Sequence, residues 1–217
     1  LITSKMLSEI DGLSIESISQ SLHRVSKSAN RMSGLLEDIL KYTRIKNTRD
    51  KLQKVDLNKI LGATIKEMKE LIEERSAIIQ HEDLPEVHAI GFLMRQLFIN
   101  ILQNSLKYAS PERTPKIKIT ASQEPVLIKH KYKVYCYWIR FSDNGIGFEQ
   151  QFAESIFKVF TRLHTQEQYT GSGIGLALCK KIMQAVGGDI EAEGNPGSGT
   201  DITIYFPCDI DDTLLPM

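Results

Sequence analysis

The chain turns at Asp143-Asn144-Gly145-Ile146-Gly147-Phe148, directly after the apolar run from Val134 to Phe141. That run is rich in β-branched and aromatic residues, so it predicts a sheet strand that ends at a carboxylate. The two glycines permit positive φ and let the backbone approach a flat ligand that a Cβ would push away. A carboxylate beside such a glycine turn suits a nucleobase, because it accepts a hydrogen bond from an exocyclic amine. An ordinary Asp-Asn-Gly turn between two elements explains the string equally well.

A second glycine cluster, Gly171-Ser172-Gly173-Ile174-Gly175-Leu176, leads into a helix predicted from Gly173 to Val186. Backbone N–H groups at a helix start, reinforced by the helix dipole, bind anions without a cationic side chain. A polar loop, Leu163 to Thr170, stands where a dinucleotide-binding fold would have a strand, and no Gly-Lys-Ser/Thr follows. The cluster therefore predicts a phosphate site that is neither a dinucleotide-binding fingerprint nor a Walker motif. The polar loop is predicted to be its lid.

Polar side chains follow one face of the helix predicted from Ile90 to Tyr108. Asn100, Asn104, Lys107 and Tyr108 stand at i, i+4, i+7 and i+8. Asparagine is a poor helix former, so two of them on a largely buried helix favour a functional role over a merely solvated face. Amide oxygens suit a Mg²⁺ ion whose other ligands are waters and phosphate oxygens.

The segment between the glycine clusters is Ile156-Phe157-Lys158-Val159-Phe160-Thr161-Arg162. Two phenylalanines three residues apart are more often core than function, and we expect them to anchor the base of the loop. Arg162 would then lie near the phosphate end, where a guanidinium holds a γ-phosphate bidentately. The later string Gly197-Ser198-Gly199-Thr200 is typical of a hairpin that turns into the last strand.

A heptad pattern precedes all of these motifs, with apolar residues in steps of three and four at Ile15, Ile18, Leu22, Val25, Ala29, Met32, Leu36 and Ile39. It predicts a helix that cannot cover its apolar stripe alone. A shorter helix at residues 1–10 and the turn Asp11-Gly12 suggest a helical hairpin that dimerises as a four-helix bundle. Packing of this helix on the rest of the same chain remains the alternative.

The order of elements predicts an α+β fold, a two-layer sandwich of one mixed sheet under helices. We divide the chain into a partial helical hairpin (1–47), a linker (48–54), a nucleotide-binding domain (55–207) and a tail (208–217). The domain is expected to contain helices at 56–75, 90–108, 150–158 and 173–186, strands at 55–57, 77–80, 116–120, 131–142, 189–193 and 200–206, and a connector at 85–88. Asp56 is predicted to cap the first helix.

Composition excludes several classes of function. The 217 residues hold 27 basic and 27 acidic side chains, so no basic field invites nucleic acid or an anionic membrane. No apolar run approaches the roughly 20 residues that span a bilayer. Three cysteines without a Cys-x-x-Cys pair argue against disulfides and zinc, which favours a cytoplasmic setting. A start in helical pattern at Leu1 predicts a fragment whose upstream part is missing.

Five strings in this order resemble the ATP-binding domain of sensor histidine kinases, and they are N-I-L-Q-N-S-L-K-Y, D-N-G-I-G-F, I-F-K-V-F-T-R, G-S-G-I-G-L-A and G-S-G-T. The heptad helix, which ends in D-I-L-K-Y-T-R-I, likewise resembles the second helix of that family's dimerisation and phosphotransfer hairpin. The resemblance implies a Bergerat-type fold that binds ATP and Mg²⁺. It also implies a homodimer formed through the hairpin, a response-regulator receiver domain as partner, and sensor modules upstream.

The same resemblance implies roles for individual residues. Asn100, Lys107 and Arg162 would serve catalysis, Asn104 would ligate Mg²⁺, and Asp143 would bind the adenine amine. The other ATP-binding positions would be Tyr108, Gly145, Gly147, Phe157, Phe160, Gly171, Ser172, Gly173, Gly175, Leu176 and Thr200.

One departure from the family concerns the phosphoacceptor, a histidine followed by an acidic residue on the first hairpin helix. No such string occurs in this chain, and His23, which precedes Arg24, is expected to be solvated or to flank a dimer. Two alternatives to a kinase stay open. A related ATPase would place a glutamate where Asn100 stands, because hydrolysis needs a general base. A dimeric scaffold that binds ATP without catalysis would keep all the nucleotide motifs.

Overall fold

A computed structural model describes residues 15–45, 52–123, 126–128, 133–163 and 172–207. The predictions for the first helix and its turn (1–14), most of the linker (46–51), the polar lid with Gly171 (164–171) and the tail (208–217) lie outside these ranges.

The helices are α1 (Ile15–Arg44), α2 (Leu57–Glu67), α3 (Lys69–Glu74), α4 (Gly91–Lys107) and α5 (Gly175–Ala185). The strands are β1 (Gln53–Asp56), β2 (Ile78–His81), β3 (Glu86–Ala89), β4 (Lys116–Ser122), β5 (Val126–Ile128), β6 (Lys133–Asp143), β7 (Asp189–Asn195) and β8 (Gly199–Pro207). The main sheet runs β2-β4-β6-β8-β7, and β5 pairs with β6. Only the β2–β4 pair is parallel among the described strands, so the sheet is mixed and the predicted α+β class is confirmed.

The core lies between the sheet and the helices α2, α4 and α5. Burial alternates along β4 and β7, as expected for strands with one covered face, whereas Ile202 to Phe206 of β8 are all buried. The apolar core residues of the sheet include Ile117, Ile119, Ile139, Phe141, Ile190, Ala192, Ile202, Ile204 and Phe206. Phe98 of α4 meets Phe141 of β6 edge to face, with 5.3 Å between ring centroids. This contact ties the helix that carries the two asparagines to the strand that ends at Asp143.

The structure confirms one local prediction and corrects others. Asp56 caps α2, because its carboxylate accepts hydrogen bonds from the backbone N–H groups of Asn58 and Lys59. The helix predicted for 56–75 breaks at Met68, however, into α2 and α3. The predicted helix 150–158 consists instead of two 3₁₀ turns, Gln150–Phe152 and Ser155–Phe157, because Ser155 Oγ donates to the Phe152 carbonyl and Lys158 is already extended.

The predicted connector at 85–88 is also wrong, since it forms β3 and pairs antiparallel with β1. Val87 and Ala89 are buried there while Glu86 and His88 are exposed, which is a strand pattern too short to stand out in the sequence. Helix α5 begins at Gly175, two residues later than predicted. Strand β5 was not predicted at all.

Helix α1 has an exposed apolar seam along most of its length and a packed segment near its end. Six of the predicted heptad residues are each more than a third exposed in the single chain, namely Ile18, Leu22, Val25, Met32, Leu36 and Ile39. Near the end of the helix, Tyr42 and the following Ile45 pack against the core of the other domain. The end of the helix therefore packs on the same chain, as the alternative interpretation expected, while the dimer predicted from the exposed seam stays a prediction. In the described part of the chain, no helix combines the length and apolar character needed to cross a membrane.

Two phenylalanines of α4 allow a matched test of the core. Phe98 is fully buried and Phe92 is 70% exposed on the same helix. We expect Phe98→Ala to lower the free energy of unfolding by about 3–5 kcal/mol, because it leaves a cavity beside Phe141. Phe92→Ala should change it by less than about 0.5 kcal/mol. Denaturant unfolding followed by circular dichroism measures both, and equal losses would contradict the described packing of α4.

Candidate functional site

Two adjoining cavities open between α4, the turn after β6 and the start of α5. The larger measures about 420 Å³ and the smaller about 100 Å³. Six residues line both of them, Asn104, Tyr108, Ile156, Thr161, Arg162 and Leu176, so the two form one continuous groove. The smaller cavity is built around Asp143, and the larger one around Asn100 and the glycine cluster.

A half-buried carboxylate defines the smaller cavity. Asp143 Oδ1 accepts hydrogen bonds from the backbone N–H groups of Gly145 (2.9 Å) and Thr200 (3.1 Å). The Ser105 hydroxyl also hydrogen-bonds to the carboxylate, yet burial outweighs these bonds and raises the pKa of Asp143 above its ordinary value. A ligand that donates an N–H to this carboxylate would favour its charged form. The geometry thus fits an exocyclic amine at the closed end of the groove.

The packing of the protein itself requires the two glycines of the turn. A Cβ on Gly145 would lie 2.4 Å from the Tyr108 carbonyl oxygen, and one on Gly147 would lie 2.1 Å from that of Asn195. Gly147 also has a φ of +66°. The turn is therefore wedged between the end of α4 and the β7–β8 hairpin, and this holds Asp143 in position.

Arg113 fastens the same turn from outside. One guanidinium nitrogen donates to the carbonyl oxygens of Gly145 (3.1 Å) and Gly197 (2.8 Å), so it links the turn to the β7–β8 hairpin. The Asn144 side chain adds a second link, because it accepts from Lys116 N at 2.7 Å and donates to the Thr114 carbonyl at 3.0 Å. The floor of the smaller cavity is thus clamped to the segment before β4.

An unsatisfied amide marks the larger cavity. Asn100 Oδ1 accepts from Gln96 Nε2 at 3.3 Å, but Asn100 Nδ2 is buried and has no hydrogen-bond partner among the described residues. The buried Cys179 thiol lies beside it, but sulfur is a weak acceptor, and burial raises the pKa of that thiol to about 12. A buried donor without a partner costs free energy unless a ligand satisfies it. Because Asn100 lines the larger cavity, a polar group bound there is a candidate partner for this donor.

Cationic and backbone groups complete the phosphate end. Arg162 and Lys107 line the larger cavity together with Ser172, Gly173 and Gly175 at the start of α5. Lys107 Nζ lies 3.0 Å from the Tyr108 hydroxyl and 4.5 Å from the centre of its ring. Within the described residues, no group of three or more His, Cys, Asp or Glu side chains could hold a metal. The Asn104 amide oxygen belongs to a residue that lines both cavities and is of a ligand type that Mg²⁺ accepts.

The structure brings most of the predicted site residues together. Those that line the groove are Asn100, Asn104, Lys107, Tyr108, Asp143, Gly147, Arg162, Ser172, Gly173, Gly175, Leu176 and Thr200. Gly145, Phe157 and Phe160 do not line it, and Gly171 lies outside the described residues.

The two phenylalanines have different positions. Phe157 is buried, as an anchor of the loop should be, and the Lys180 ammonium lies 5.3 Å from its ring centre. Phe160 is 62% exposed with a φ of 65°, which is unusual for a bulky residue. Its backbone N–H donates to the Gly173 carbonyl at 3.0 Å, so Phe160 holds the glycine cluster through its main chain.

Several lining residues were missed from the sequence. Ser105 and Thr161 are polar residues within the motifs, and a buried serine in a largely apolar helix is a signal that could have been used. Asp38 of α1 and Arg75 after α3 also line the larger cavity, although both are far in sequence from its other residues. No local pattern marks either of them.

A mixed sheet under helices, with a buried carboxylate at one end of a groove and an unsatisfied amide and a helix start at the other, defines a nucleotide-binding domain. Residues 90–210 match the family described as "Histidine kinase-, DNA gyrase B-, and HSP90-like ATPase". Because the match covers more than half of the chain, the chain belongs to this ATP-binding family.

A sensory kinase is among the relatives, since the chain is 31% identical over 196 residues to the adaptive-response sensory kinase SasA of Synechocystis, a match that covers 87% of this chain and 48% of SasA. The chain is 36% identical over 176 residues to the phytochrome-like protein Cph1 of Synechocystis, a match that covers 81% of this chain and 22% of Cph1. The chain thus spans about a fifth of the length of that curated relative.

Solved structures agree on the fold. Full-length ShkA in complex with AMPPNP superposes with a TM-score of 0.64 at 24% identity, over 90% of this chain and 40% of that one. Histidine kinase ThkA in complex with response regulator protein TrrA superposes with a TM-score of 0.64 at 19% identity, over 95% and 56% of the two chains. At these identities the likeness shows the fold alone.

Asp143→Asn tests the base end. With Oδ1 held by two N–H groups, the amide nitrogen would face the ligand, and a donor would then meet the donating amine. We expect the affinity for ATP to fall about ten- to a hundredfold, the equivalent of a hydrogen bond to a charged group. Calorimetric titration measures this loss. The control Asp83→Asn changes an exposed carboxylate outside the groove, and unchanged affinity in Asp143→Asn would remove Asp143 from the site.

Arg113→Ala tests the clamp on the turn. Loss of its two hydrogen bonds should weaken ATP and ADP about two- to tenfold and to the same extent, because Arg113 acts at the end that both nucleotides share. Arg95→Ala is the matched control, since Arg95 donates to Glu67 on the surface and touches neither cavity. If the two variants bind nucleotide equally well, the clamp does not position the site.

Proposed function

We propose that this chain is the ATP-dependent core of a sensor histidine kinase. In this proposal it transfers the γ-phosphoryl group of ATP to a histidine on the hairpin helix that precedes α1. The phosphoryl group would then pass to an aspartate of a response-regulator receiver domain. The observation that carries the proposal is Asn100, which lines the larger cavity and whose buried amide nitrogen has no hydrogen-bond partner among the described residues.

An amide at this position favours phosphoryl transfer over hydrolysis. A carboxylate there could take a proton from water, whereas an amide has no basic atom to do so. The related ATPases in the family need such a base, so Asn100 supports a reaction in which the nucleophile arrives already competent, as a neutral imidazole does. The Asn100 amide N–H then serves to position a phosphate oxygen.

The remaining residues would act by positioning and charge. Asn104 would hold a Mg²⁺ ion through its amide oxygen, and that ion would neutralise phosphate charge. Lys107 and Arg162 would contact the phosphates from the walls of the larger cavity, while Asp143 and Thr200 would orient the base. Most of the rate enhancement would come from holding the γ-phosphoryl group in line with the acceptor.

The exposed seam of α1 supports a homodimer. Its apolar residues face solvent in the single chain, and a second copy that packs there would form a four-helix bundle with the preceding helices. A receiver domain as partner is supported by the ThkA–TrrA complex, whose kinase shares the fold. We further propose sensor modules upstream, a cytoplasmic location for this segment, and no contact of the segment with nucleic acid or membrane.

A transfer assay tests the proposal. The chain is mixed with Mg²⁺ and γ-labelled ATP and with a separately made helical hairpin that carries an acceptor histidine. We expect acid-labile, base-stable label on the hairpin. Asn104→Ala should reduce this label on the order of a hundredfold, because it removes a preorganised electrostatic contact. Arg95→Ala, on the far surface, should leave it unchanged.

The outcomes separate the candidate functions. Release of inorganic phosphate without label would identify a hydrolytic ATPase of the same family. Binding of ATP with neither label nor phosphate release, even when the chain carries its own upstream helix, would favour a nucleotide-gated dimeric scaffold.

A further inference from the structure

Helix α1 contributes a carboxylate to the phosphate end of the groove. Asp38 lines the larger cavity together with Arg75, Lys107 and Arg162. It does not line the smaller cavity around Asp143. Because the base end is formed around Asp143, Asp38 lies at the opposite end of the groove, where the last phosphate of a nucleotide would be.

The position of Asp38 depends on how α1 is held. Lys181 Nζ of α5 donates to the Tyr42 carbonyl at 2.6 Å and lies 4.0 Å from the centre of the Tyr42 ring. Asp38 precedes Tyr42 by four residues and therefore lies one turn away on the same face of the helix. The contact between Tyr42 and Lys181 thus places Asp38 at the cavity while α1 is docked.

The negative charge of Asp38 determines how it acts on a phosphate bound in the larger cavity. The three cationic side chains of the cavity attract a terminal phosphate, and the Asp38 carboxylate makes the electrostatic potential at that end of the cavity less positive. The carboxylate also repels the phosphate directly. ADP lacks the γ-phosphate and keeps the contacts at the base end. Asp38 should therefore lower the affinity for ADP much less than the affinity for ATP.

We propose that Asp38 is a specificity-determining residue that makes the docked chain discriminate against ATP relative to ADP. The inference rests on the proposed nucleotide function of the groove. Coupling between two sites is reciprocal, so ATP would in turn weaken the docking of α1 while ADP would tolerate it. The γ-phosphate would thereby signal its presence to the helix that leads to the rest of the kinase.

The test compares calorimetric affinities for Mg²⁺-ATP and Mg²⁺-ADP in the whole chain. Asp38→Asn removes the charge but keeps the shape, and we expect it to raise the ATP affinity relative to ADP by about three- to tenfold. Glu37→Gln is the matched control, because Glu37 is the adjacent carboxylate of the same helix, is exposed, and does not line the cavity. It should leave the ratio of affinities unchanged.

A second substitution checks that docking is required. Lys181→Ala removes both contacts to Tyr42 and should release α1 from the other domain. In that background the effect of Asp38→Asn on the ATP-to-ADP ratio should shrink toward that of Glu37→Gln. A merely structural role of Asp38 would not produce this dependence on Lys181.

Each outcome bears on the inference. An unchanged ratio in Asp38→Asn, or a lower ATP affinity, would overturn it, as would an equal effect of Glu37→Gln or an effect that persists fully in Lys181→Ala. If the unsubstituted chain bound neither nucleotide, the proposed function would fail, and this inference with it. Nucleotide binding with an unchanged ratio would contradict only the role of Asp38.

Discussion

The burial of α4 against the sheet is the constraint on which the site depends. Phe98 and Phe141 meet at the centre of the core, and each precedes a groove-lining residue by two positions, Asn100 on the helix and Asp143 on the strand. One packed contact therefore relates the phosphate end to the base end. Because interiors are close-packed, this relation tolerates little movement, which is the rigidity that a positioning site requires.

Around that core, the site is completed by groups that differ in how firmly they are held. The turn after β6 is clamped by backbone contacts and Arg113, whereas α1 is fastened to the other domain mainly near Tyr42. The difference suits the proposed kinase core, in which the nucleotide pocket would keep its shape while α1 docks and releases. A ligand can shift the docking equilibrium of α1 if the docked and released states differ by only a few kcal/mol in free energy.

Much of the fold could be predicted from local patterns. The cap at Asp56, the helix of α4 and the strands β4, β6, β7 and β8 follow from residue spacing and turn chemistry. The failures have physical causes. Strand β3 has only two inward residues and gains its stability from pairing with β1, and the helix expected at 150–158 is replaced by 3₁₀ turns that the Ser155 side chain and the burial of Phe157 favour.

The sequence by itself determined the class of the protein. The ordered motifs on α4, after β6 and before α5 are contiguous in the sequence, so their residue types and spacing can be recognised without the structure. The sequence also predicted 12 of the 24 residues that line the groove. Only the folded chain revealed that Gly145 and Gly147 press against backbone and that Asp38 and Arg75 line the larger cavity. It also revealed that the Asn100 amide nitrogen has no hydrogen-bond partner among the described residues. These features arise between residues that are distant in sequence, and their contacts depend on how the elements pack rather than on any spacing along the chain.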